Sequence, residues 1–299
     1  TSQTGPTKPD RLKTNNLKPT TFRTRFADAP RITHASVRSP RTCLTLLFKD
    51  LFLNNIIMNP IGVIYTAGDT LFVVKDFSDL IQHHIATKGI WEPDLVNLLK
   101  SISTQITKNI GKCHLVNVGA HIGSVCVASA KHFSHITAFE PVKSNFDHLN
   151  LHKDLNRVNH MTTHNLALSD SKYDSKIVFN PQNTGGCHVV SDYEVANSIR
   201  HAQNHIENTV RCVSMDSIEF ENSIEILLVD IEGHEERFIK GAEQTIRKYK
   251  PVIIIELWTD DKRQHENMKT TQSEMIQKIT SFGYNTVKQL GIDTFIFIN

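Results

Sequence analysis

The 299-residue chain has 39% hydrophobic and 21% charged residues, a balance typical of a soluble protein with a sizeable core. Its net charge of +2 is uneven, because residues 1–42 carry nine Lys or Arg against two Asp and residues 43–299 carry a net charge of −5. An uninterrupted apolar run of about 18 residues is absent, which argues against a membrane span.

Cysteine usage indicates a reducing environment. The five cysteines are odd in number and show no Cys-x-x-Cys spacing, so neither a disulfide framework nor a zinc site is expected. Cys126 falls in an apolar helical stretch, where a reduced, buried thiol is the ordinary interpretation. We therefore expect a reducing compartment, the cytoplasm. Because the sequence begins with Thr1, we expect a processed product or a segment of a longer protein.

Residues 1–42 have the composition of a disordered tail or linker. They are rich in Thr, Pro, Asn, Lys and Arg and have few large apolar side chains, so they cannot bury enough surface to offset the entropy of ordering. A basic arm of this kind can bind nucleic acid or acidic glycans, although a solvated linker is the simpler interpretation.

Residues 43–84 are predicted to form a β-rich extension. The segments NPIGVIYT and DTLFVV flank Ala67-Gly68, a pattern typical of a β-hairpin. Farther along, apolar residues recur at helical spacing and mark one face of an amphipathic helix that Pro93 can begin. These apolar residues are Leu95, Leu98, Leu99, Ile102 and Ile106.

Residues 85–299 are predicted to form the main domain, in which strands alternate with helices. The strand candidates are residues 114–118, 135–139, 161–168, 225–229 and 252–257. The last two contain ILLVD and VIIIEL, continuous apolar runs that fit a parallel sheet covered on both faces. A helix with Phe238, Ala242 and Ile246 on one face lies between them.

The chain finishes with a helix and a second predicted hairpin. The helix carries Met275, Ile279 and Phe282 and is expected to end at Gly283, a natural C-cap. YNTVKQ and IDTFIFI flank Leu290-Gly291 and must pair antiparallel. The predicted fold is therefore α/β and Rossmann-like, a doubly wound, mostly parallel seven-stranded sheet that ends in an antiparallel hairpin. This layout is similar to that of class I methyltransferases.

The stretch LVNVGAHIGSVCVASA, residues 115–130, predicts a buried strand, a glycine turn and a helix. A second strand follows and ends at Glu140. Gly119 and Gly123 would allow a nucleoside-containing cofactor to approach the backbone, and Glu140 would accept hydrogen bonds from its ribose hydroxyls. The structural alternatives are an ordinary tight turn and a carboxylate placed at a helix N-terminus.

Acidic and basic side chains cluster at the carboxyl ends of the predicted strands. Asp230, Glu232, His234 and Glu256 fall at or just beyond such ends, where ligands of open α/β sheets bind. Each is a candidate for proton transfer, although Glu232 can instead cap the next helix and His234 can be a bystander. A metal site from Asp230, Glu256 and Asp260 lacks tight ligand spacing, so no metal is predicted.

Six segments in order resemble the FkbM family of methyltransferases, over roughly residues 85–260. The most diagnostic is LLVDIEGHEERFIKGAEQTI, residues 227–246, in which Asp-x-Glu-Gly is followed by a helix containing Lys-Gly-Ala. The others are GIWEP (89–93), VNVGAHIG (116–123), FEP (139–141), NLALSD (165–170) and MDSI (215–218).

The resemblance implies an enzyme that transfers a methyl group from S-adenosylmethionine to a hydroxyl of a sugar, a glycoconjugate or a small molecule. Asn117 stands where the family usually has Asp, and His121 stands where it commonly has Asn; both changes would weaken cofactor binding. The residues implied to bind the cofactor are Glu92, Asn117, Gly119, Ala120, His121, Gly123, Glu140, Pro141, Asn165, Ala167 and Asp230.

Two other functions stay open. The basic tail suggests RNA methylation, but DIEGHE at the end of the fourth parallel strand lacks the lysine on which familiar ribose-methylating enzymes rely. A non-catalytic binding module on the same fold is the other, and Asn117 favours it. In the insert before that strand, NPQN (180–183) is predicted as a turn. NTGGCHV (183–189) is predicted as a mobile acceptor-binding loop or a plain surface loop.

Overall fold

The computed structural model describes residues 62–180, 182–190, 206–266 and 268–299. Some predictions fall outside the described residues, namely those for the tail, for the first part of the extension and for Cys43. The described strands are β1 (Val63–Ala67), β2 (Thr70–Val74), β3 (His114–Val118), β4 (His135–Phe139), β5 (Met161–His164), β6 (Ala167–Ser169), β7 (Tyr173–Asn180), β8 (Asn183–Val190), β9 (Ile206–Ser214), β10 (Ile226–Val229), β11 (Val252–Glu256), β12 (Thr286–Leu290) and β13 (Thr294–Ile298).

Seven helices accompany these strands in the described part of the chain. They are α1 (Leu80–Lys88), α2 (Pro93–Ile110), α3 (Cys126–Ser129), α4 (Lys143–Leu155), α5 (Glu235–Tyr249), α6 (Asp260–His265) and α7 (Gln272–Thr280). None of these described helices is long and apolar enough to cross a membrane.

Seven strands form the central sheet in the order β12-β13-β11-β10-β3-β4-β5. The five strands from β11 to β5 are parallel, and β13 runs antiparallel to both β11 and β12. The predicted fold class is therefore confirmed. The order reverses next to β3, and such a switch point is where open α/β sheets bind ligands.

Two apolar cores cover the faces of this sheet, as the continuous apolar runs predict. Along β10, Leu227 and Val229 pack with α5 and α7, whereas Ile226 and Leu228 pack with α2, α3 and α4. The alternation follows from strand geometry, since successive side chains point to opposite faces. Helices on both faces leave only the ends of the sheet open for a site.

The insert between β5 and β10 forms a second sheet that the sequence did not predict, with the order β6-β9-β7-β8. The single strand predicted at residues 161–168 is wrong, because β5 belongs to the central sheet and β6 to the second one. Asn165 holds the bend between them, since its Nδ2 donates to the Glu140 and Pro141 carbonyl oxygens, both at 2.9 Å.

Three local predictions also need correction. NTGGCHV lies in β8 and is a strand, not a loop. The last helix ends at Thr280 and its C-cap is Ser281, because Phe282 turns into the core and Gly283 follows with a φ of 99°. The terminal hairpin has three connecting residues, 291–293, and not two.

The predicted hairpin before the main domain is present as β1 and β2. Buried histidines of α4 join it to the domain: Val73 N donates to His152 Nε2 at 2.9 Å, and His148 Nε2 contacts the Val73 carbonyl oxygen at 2.8 Å. The helix α1, which the sequence did not predict, follows the hairpin and begins after the N-cap Asp79. The domain boundaries at residues 42 and 84 stay predictions.

Candidate active site

A row of four residues crosses the carboxyl ends of β4, β3, β10 and β11. These strands are in register, so the residues at this level are, in sheet order, Glu140, Gly119, Asp230 and Glu256. Because neighbouring strands lie about 4.8 Å apart, the row spans roughly 14 Å. We call its two extremes the Glu140 end and the Asp230 end, the latter comprising Asp230 and Glu256.

A cavity of about 230 Å³ opens over this row. Twelve of the fourteen predicted site residues line it, and their roles remain predictions. They are Glu92, Asn117, Gly119, Ala120, His121, Glu140, Pro141, Ala167, Asp230, Glu232, His234 and Glu256.

Gly123 and Asn165 lie outside the cavity lining. A Cβ on Gly123 would come within 2.6 Å of Leu149 Cδ1, so this glycine lets the turn pack on α4. Asn165 braces the backbone behind Glu140 through the two hydrogen bonds given above. Both residues support the site from outside the cavity.

The turn after β3 is tied to both neighbouring strands. The backbone N–H groups of Gly119 and Ala120 donate to the Phe139 carbonyl oxygen at 3.0 and 2.9 Å. A Cβ on Gly119 would overlap the Asp230 carbonyl oxygen, and the φ of 82° also favours glycine. Gly119 is therefore required by the close approach of the end of β10, independently of any cofactor.

Glu140 is a buried carboxylate held by backbone donors. Its Oε2 accepts from His121 N at 2.8 Å, and its Oε1 accepts from Val142 N at 2.9 Å. Burial raises the pKa of Glu140 to about 7, although these two hydrogen bonds and the side chain of Asn145 act in the opposite direction. A carboxylate has about four acceptor sites, and three are used by His121 N, Val142 N and the Asn145 side chain, so one site remains for a ribose hydroxyl.

His121 has a left-handed backbone, with a φ of 49°. Its ring Nε2 lies 2.8 Å from Thr184 Oγ1 of β8. Burial lowers the pKa of His121 to about 4, so the ring is neutral at pH 7. Asn117, at 4% exposure, also lines the cavity, and its side chain makes no hydrogen bond to the described residues.

Asp230 and Glu256 face the cavity from adjacent strands. Desolvation raises the pKa of Glu256 to about 8, and the charges of Glu232 and Asp293 add to the shift. Desolvation and the nearby charges of Glu256 and Glu232 raise the pKa of Asp230 well above its usual range. Among the described residues neither carboxylate forms an ion pair, and with a raised pKa each can take a proton. Asp230 is exposed to solvent and Glu256 is half-buried, so a substrate hydroxyl has access to Asp230.

Glu232 differs from its neighbours because it has cationic and N–H partners. Lys262 Nζ and Trp258 Nε1 lie 3.3 and 3.2 Å from its Oε2, and Lys262 also stacks over the Trp258 ring. The following Gly233 packs on that ring, since a Cβ there would lie 2.7 Å from it. Glu232 is thus anchored at the cavity wall and does not cap α5.

His234 is the N-cap residue of α5, and its Nε2 lies 2.9 Å from Ser169 Oγ. It is 8% exposed and lines the cavity. Glu92 occupies the rim directly before Pro93, where desolvation and the carboxylates of Asp293 and Glu232 raise its pKa. Four carboxylates therefore line one side of the cavity, those of Glu92, Asp230, Glu232 and Glu256.

The residues that sequence reasoning missed come from distant segments. Asp79, Thr184 and Lys262 reach the site or its walls through contacts that span 30 or more positions. Trp258 lies two residues after the end of β11. This position could have identified it from the sequence as a residue near the site.

Asp260 lies at the start of α6, where its Oδ1 accepts from Gln272 N at 2.6 Å, and it does not line the cavity. Within the described residues no group of three or more His, Cys, Asp or Glu is arranged to hold a metal ion. The four described cysteines, Cys113, Cys126, Cys187 and Cys212, are free.

The glycine turn, the buried Glu140 and the strand order together fit one kind of fold, and comparison with known proteins decides the family. Residues 117–286, more than half of the chain, match the Methyltransferase FkbM domain. The chain belongs to the FkbM methyltransferase family. A search of curated proteins gave no match.

Three solved structures resemble this FkbM-family chain. Methyltransferase FkbM from Methylobacillus flagellatus KT is 17% identical with a TM-score of 0.42, covering 63% of this chain and 44% of that one. Monomeric WbdD is 9% identical with a TM-score of 0.44, covering 73% and 44%. M. jannaschii TYW2 in complex with AdoMet is 11% identical with a TM-score of 0.39, covering 82% and 87%. The chain thus spans less than half of the length of the first two proteins.

Proposed function

We propose that this FkbM-family methyltransferase uses S-adenosylmethionine and methylates a hydroxyl group of a sugar or glycoconjugate. The observation that carries the proposal is the row of Glu140, Gly119, Asp230 and Glu256 across one cavity. It places a hydrogen-bond acceptor suited to a ribose at one end and two carboxylates of raised pKa at the other. The acceptor class rests on the family resemblance.

The residues at the Glu140 end fit the cofactor. Glu140 would receive a ribose hydroxyl, and the turn at Gly119 and Ala120 would lie against the nucleoside. The amide of Asn117, free of described partners, would hold the methionine portion nearer to Asp230. When bound, S-adenosylmethionine supplies an electrophilic methyl group on a sulfonium.

The carboxylates at the Asp230 end fit the second requirement of the reaction. An alcohol is a poor nucleophile near pH 7, so its proton must be removed as the new carbon–oxygen bond forms. Asp230 is the proposed base: its carboxylate takes the proton as the O–H bond breaks. Glu256 raises the proton affinity of Asp230 through their like charges. Glu232 is paired with Lys262 at 3.3 Å and is not the proposed base.

The acidity of this end also favours a neutral acceptor over RNA. The acidic side chains of Glu92, Asp230, Glu232, Glu256 and Asp293 offer no positive charge to the phosphates of a nucleic acid, and those that are ionised would repel them. The basic tail, on which the RNA alternative depends, lies outside the described residues. Within the described residues, no observation at this end of the cavity favours RNA methylation.

Two measurements test the proposal in sequence. Isothermal titration with S-adenosylhomocysteine is expected to give saturable binding at one site, and a lack of binding would refute cofactor use. Transfer of a labelled methyl group onto a panel of glycans, followed by linkage analysis, is expected to give a methyl ether on one hydroxyl. Methylation of nitrogen or carbon only, or of RNA only, would overturn the assignment.

A further inference from the structure

Thr184, the second residue of β8, joins three segments that are far apart in the sequence. Its backbone N and its Oγ1 donate to Asp79 Oδ2, at 3.0 and 2.8 Å. His121 Nε2 lies 2.8 Å from the same hydroxyl, and Asn145 Nδ2 donates to the Thr184 carbonyl oxygen at 3.2 Å. Every polar atom of Thr184 is therefore used.

The direction of each hydrogen bond follows from the chemistry of Asp79. The carboxylate oxygen Oδ2 of Asp79 accepts from the Thr184 backbone N and from the Thr184 hydroxyl, so the proton on Thr184 Oγ1 points to Asp79. The same hydroxyl oxygen must then accept from His121, which places the ring proton of His121 on Nε2. The ring is neutral, so Nδ1 carries the lone pair. The chain His121 to Thr184 to Asp79 thus selects one tautomer.

Asp79 is fully buried and accepts three hydrogen bonds. Besides the two bonds from Thr184, its Oδ1 accepts from Gln82 N at 2.9 Å as the N-cap of α1. A buried carboxylate persists only with such donors, because desolvation otherwise favours the neutral form. A second tie runs beside it, from Leu80 N to the Gln182 carbonyl oxygen at 3.0 Å. Asp79 therefore fixes the start of β8 to the start of α1.

Two of the residues that contact Thr184 also contact Glu140. His121, which donates from its ring to Thr184, donates from its backbone N to Glu140 Oε2. Asn145, which donates to the Thr184 carbonyl, also faces Glu140. The residues next to Thr184 line the cavity: Asn183, Gly185, Gly186 and Cys187. A Cβ at Gly185 would lie 2.6 Å from Ile81 Cδ1, so Ile81 would have to move to admit a side chain there.

We propose that Thr184 and Asp79 are positioning residues that hold the start of β8 as a fixed wall over the Glu140 end and orient His121 and Glu140 for the cofactor. This inference rests on the proposed S-adenosylmethionine site. It assigns a role in cofactor affinity to two residues that do not themselves lie in the predicted cofactor motifs.

The test compares Thr184→Val with Thr184→Ser in the full chain. Valine keeps the shape but removes both hydroxyl bonds, whereas serine keeps them. The dissociation constant for S-adenosylhomocysteine, measured by titration calorimetry, is expected to rise about tenfold in Thr184→Val and to stay within about threefold in Thr184→Ser. Thr280→Val is the matched control, since its hydroxyl bonds only to Ile276 O on the exposed face of α7.

The ¹⁵N spectrum of His121 gives a second readout. We expect a single Nε2–H tautomer in the wild type and in Thr184→Ser, and a mixture in Thr184→Val. A merely structural threonine would lower the melting temperature of Thr184→Val and leave the affinity of the folded protein unchanged. That result would overturn the inference.

The outcomes separate this inference from the proposed function. If the wild type does not bind S-adenosylhomocysteine, the proposed function fails and the positioning role falls with it. If the wild type binds and Thr184→Val binds equally well, only the positioning role fails. Asp79→Asn, which introduces an amide among three donors, is expected to weaken binding at least as much as Thr184→Val; wild-type affinity in that variant would also refute the role.

Discussion

At the Glu140 end of the cavity both carboxylate oxygens already accept backbone hydrogen bonds, and Asn165, His121 and Asn145 brace the surrounding chain. At the Asp230 end two carboxylates face each other's charge, and neither forms an ion pair with a described residue. The two ends lie on the same row of strands, so the sheet itself does not cause the difference. The difference comes from the side chains and backbone groups that surround each strand end.

This contrast matches two different tasks. A group that binds a ligand is most effective when its orientation is fixed beforehand, because no freedom is then lost on binding. A group that takes a proton needs a raised pKa. Desolvation raises the pKa at both ends, but backbone donors oppose the shift at Glu140, whereas neighbouring carboxylates add to it at Asp230 and Glu256. The Glu140 end is thus suited to binding and the Asp230 end to proton transfer. The following variants test whether each end affects only its own task.

The largest effect is expected for Asp230→Asn. Asparagine keeps the shape but cannot take a proton, so the rate of labelled methyl transfer should fall about 10³-fold. The affinity for S-adenosylhomocysteine should stay within about threefold, because the Glu140 end is untouched. Asp261→Asn, an exposed change on α6, is the control. A rate within tenfold of wild type would remove Asp230 as the base.

Glu140→Gln should show the opposite pattern. The amide nitrogen must face either His121 N or Val142 N, so one backbone bond is lost together with an acceptor for the ribose. We expect the dissociation constant for S-adenosylhomocysteine to rise about 100-fold, which corresponds to one to two hydrogen bonds to a charged group. Glu219→Gln, at an exposed position, serves as the control in calorimetry. Unchanged affinity would contradict the binding role.

A pH profile should report the Asp230 end. The pKa of Glu256 is raised to about 8 and that of Asp230 is also raised. The base Asp230 must be ionised, so the methyl-transfer rate should fall as the pH drops through its raised pKa, by up to about tenfold per unit. In Glu256→Gln a like charge next to Asp230 is absent, and the midpoint should move to lower pH. If the methyl-transfer rate of the wild type did not change between pH 6 and pH 9, that result would count against a role for either carboxylate.

The sequence predicted the row of site residues better than the walls around it. The predicted bounds of β3, β4, β10 and β11 agree with the structure to within one residue. Continuous apolar runs mark β10 and β11, and polar residues at the strand ends are conspicuous. The bounds of these strands depend on local pattern, which sequence reasoning can use. Their parallel pairing then brings Glu140, Asp230 and Glu256 to one edge with no further information.

The walls could not be predicted because they depend on contacts between distant segments. The bond from Thr184 to Asp79 spans 105 positions, and β6 has only three residues and pairs with β9 across the whole insert. Gly241, in the Lys-Gly-Ala motif, is required because a Cβ there would overlap the Ser169 carbonyl oxygen. A glycine inside a helix signals close packing, but its partner becomes known only from the fold.

The smallest effect concerns the support beneath the Glu140 end, which depends on a neutral histidine. His152 Nδ1 donates to the Ile122 carbonyl oxygen at 2.7 Å, and its Nε2 accepts from Val73 N at 2.9 Å. Burial lowers the pKa of His152 to about 4 from the model-peptide value of 6.5. Protonation would give Nε2 a hydrogen and break the bond from Val73.

Because the folded pKa is the lower one, the stability from His152 is complete above about pH 6.5 and is lost as the pH falls toward 4. The expected loss at pH 5 is about 2 kcal/mol in the free energy of unfolding. The amide of His152→Gln can replace both bonds. The difference in the free energy of unfolding between this variant and the wild type, measured by urea unfolding, should therefore narrow by about that amount between pH 7 and pH 5. His265→Gln, at an exposed position, should leave the pH dependence unchanged. A difference in unfolding free energy that stays constant with pH would show that His152 is not the neutral support of the cofactor turn.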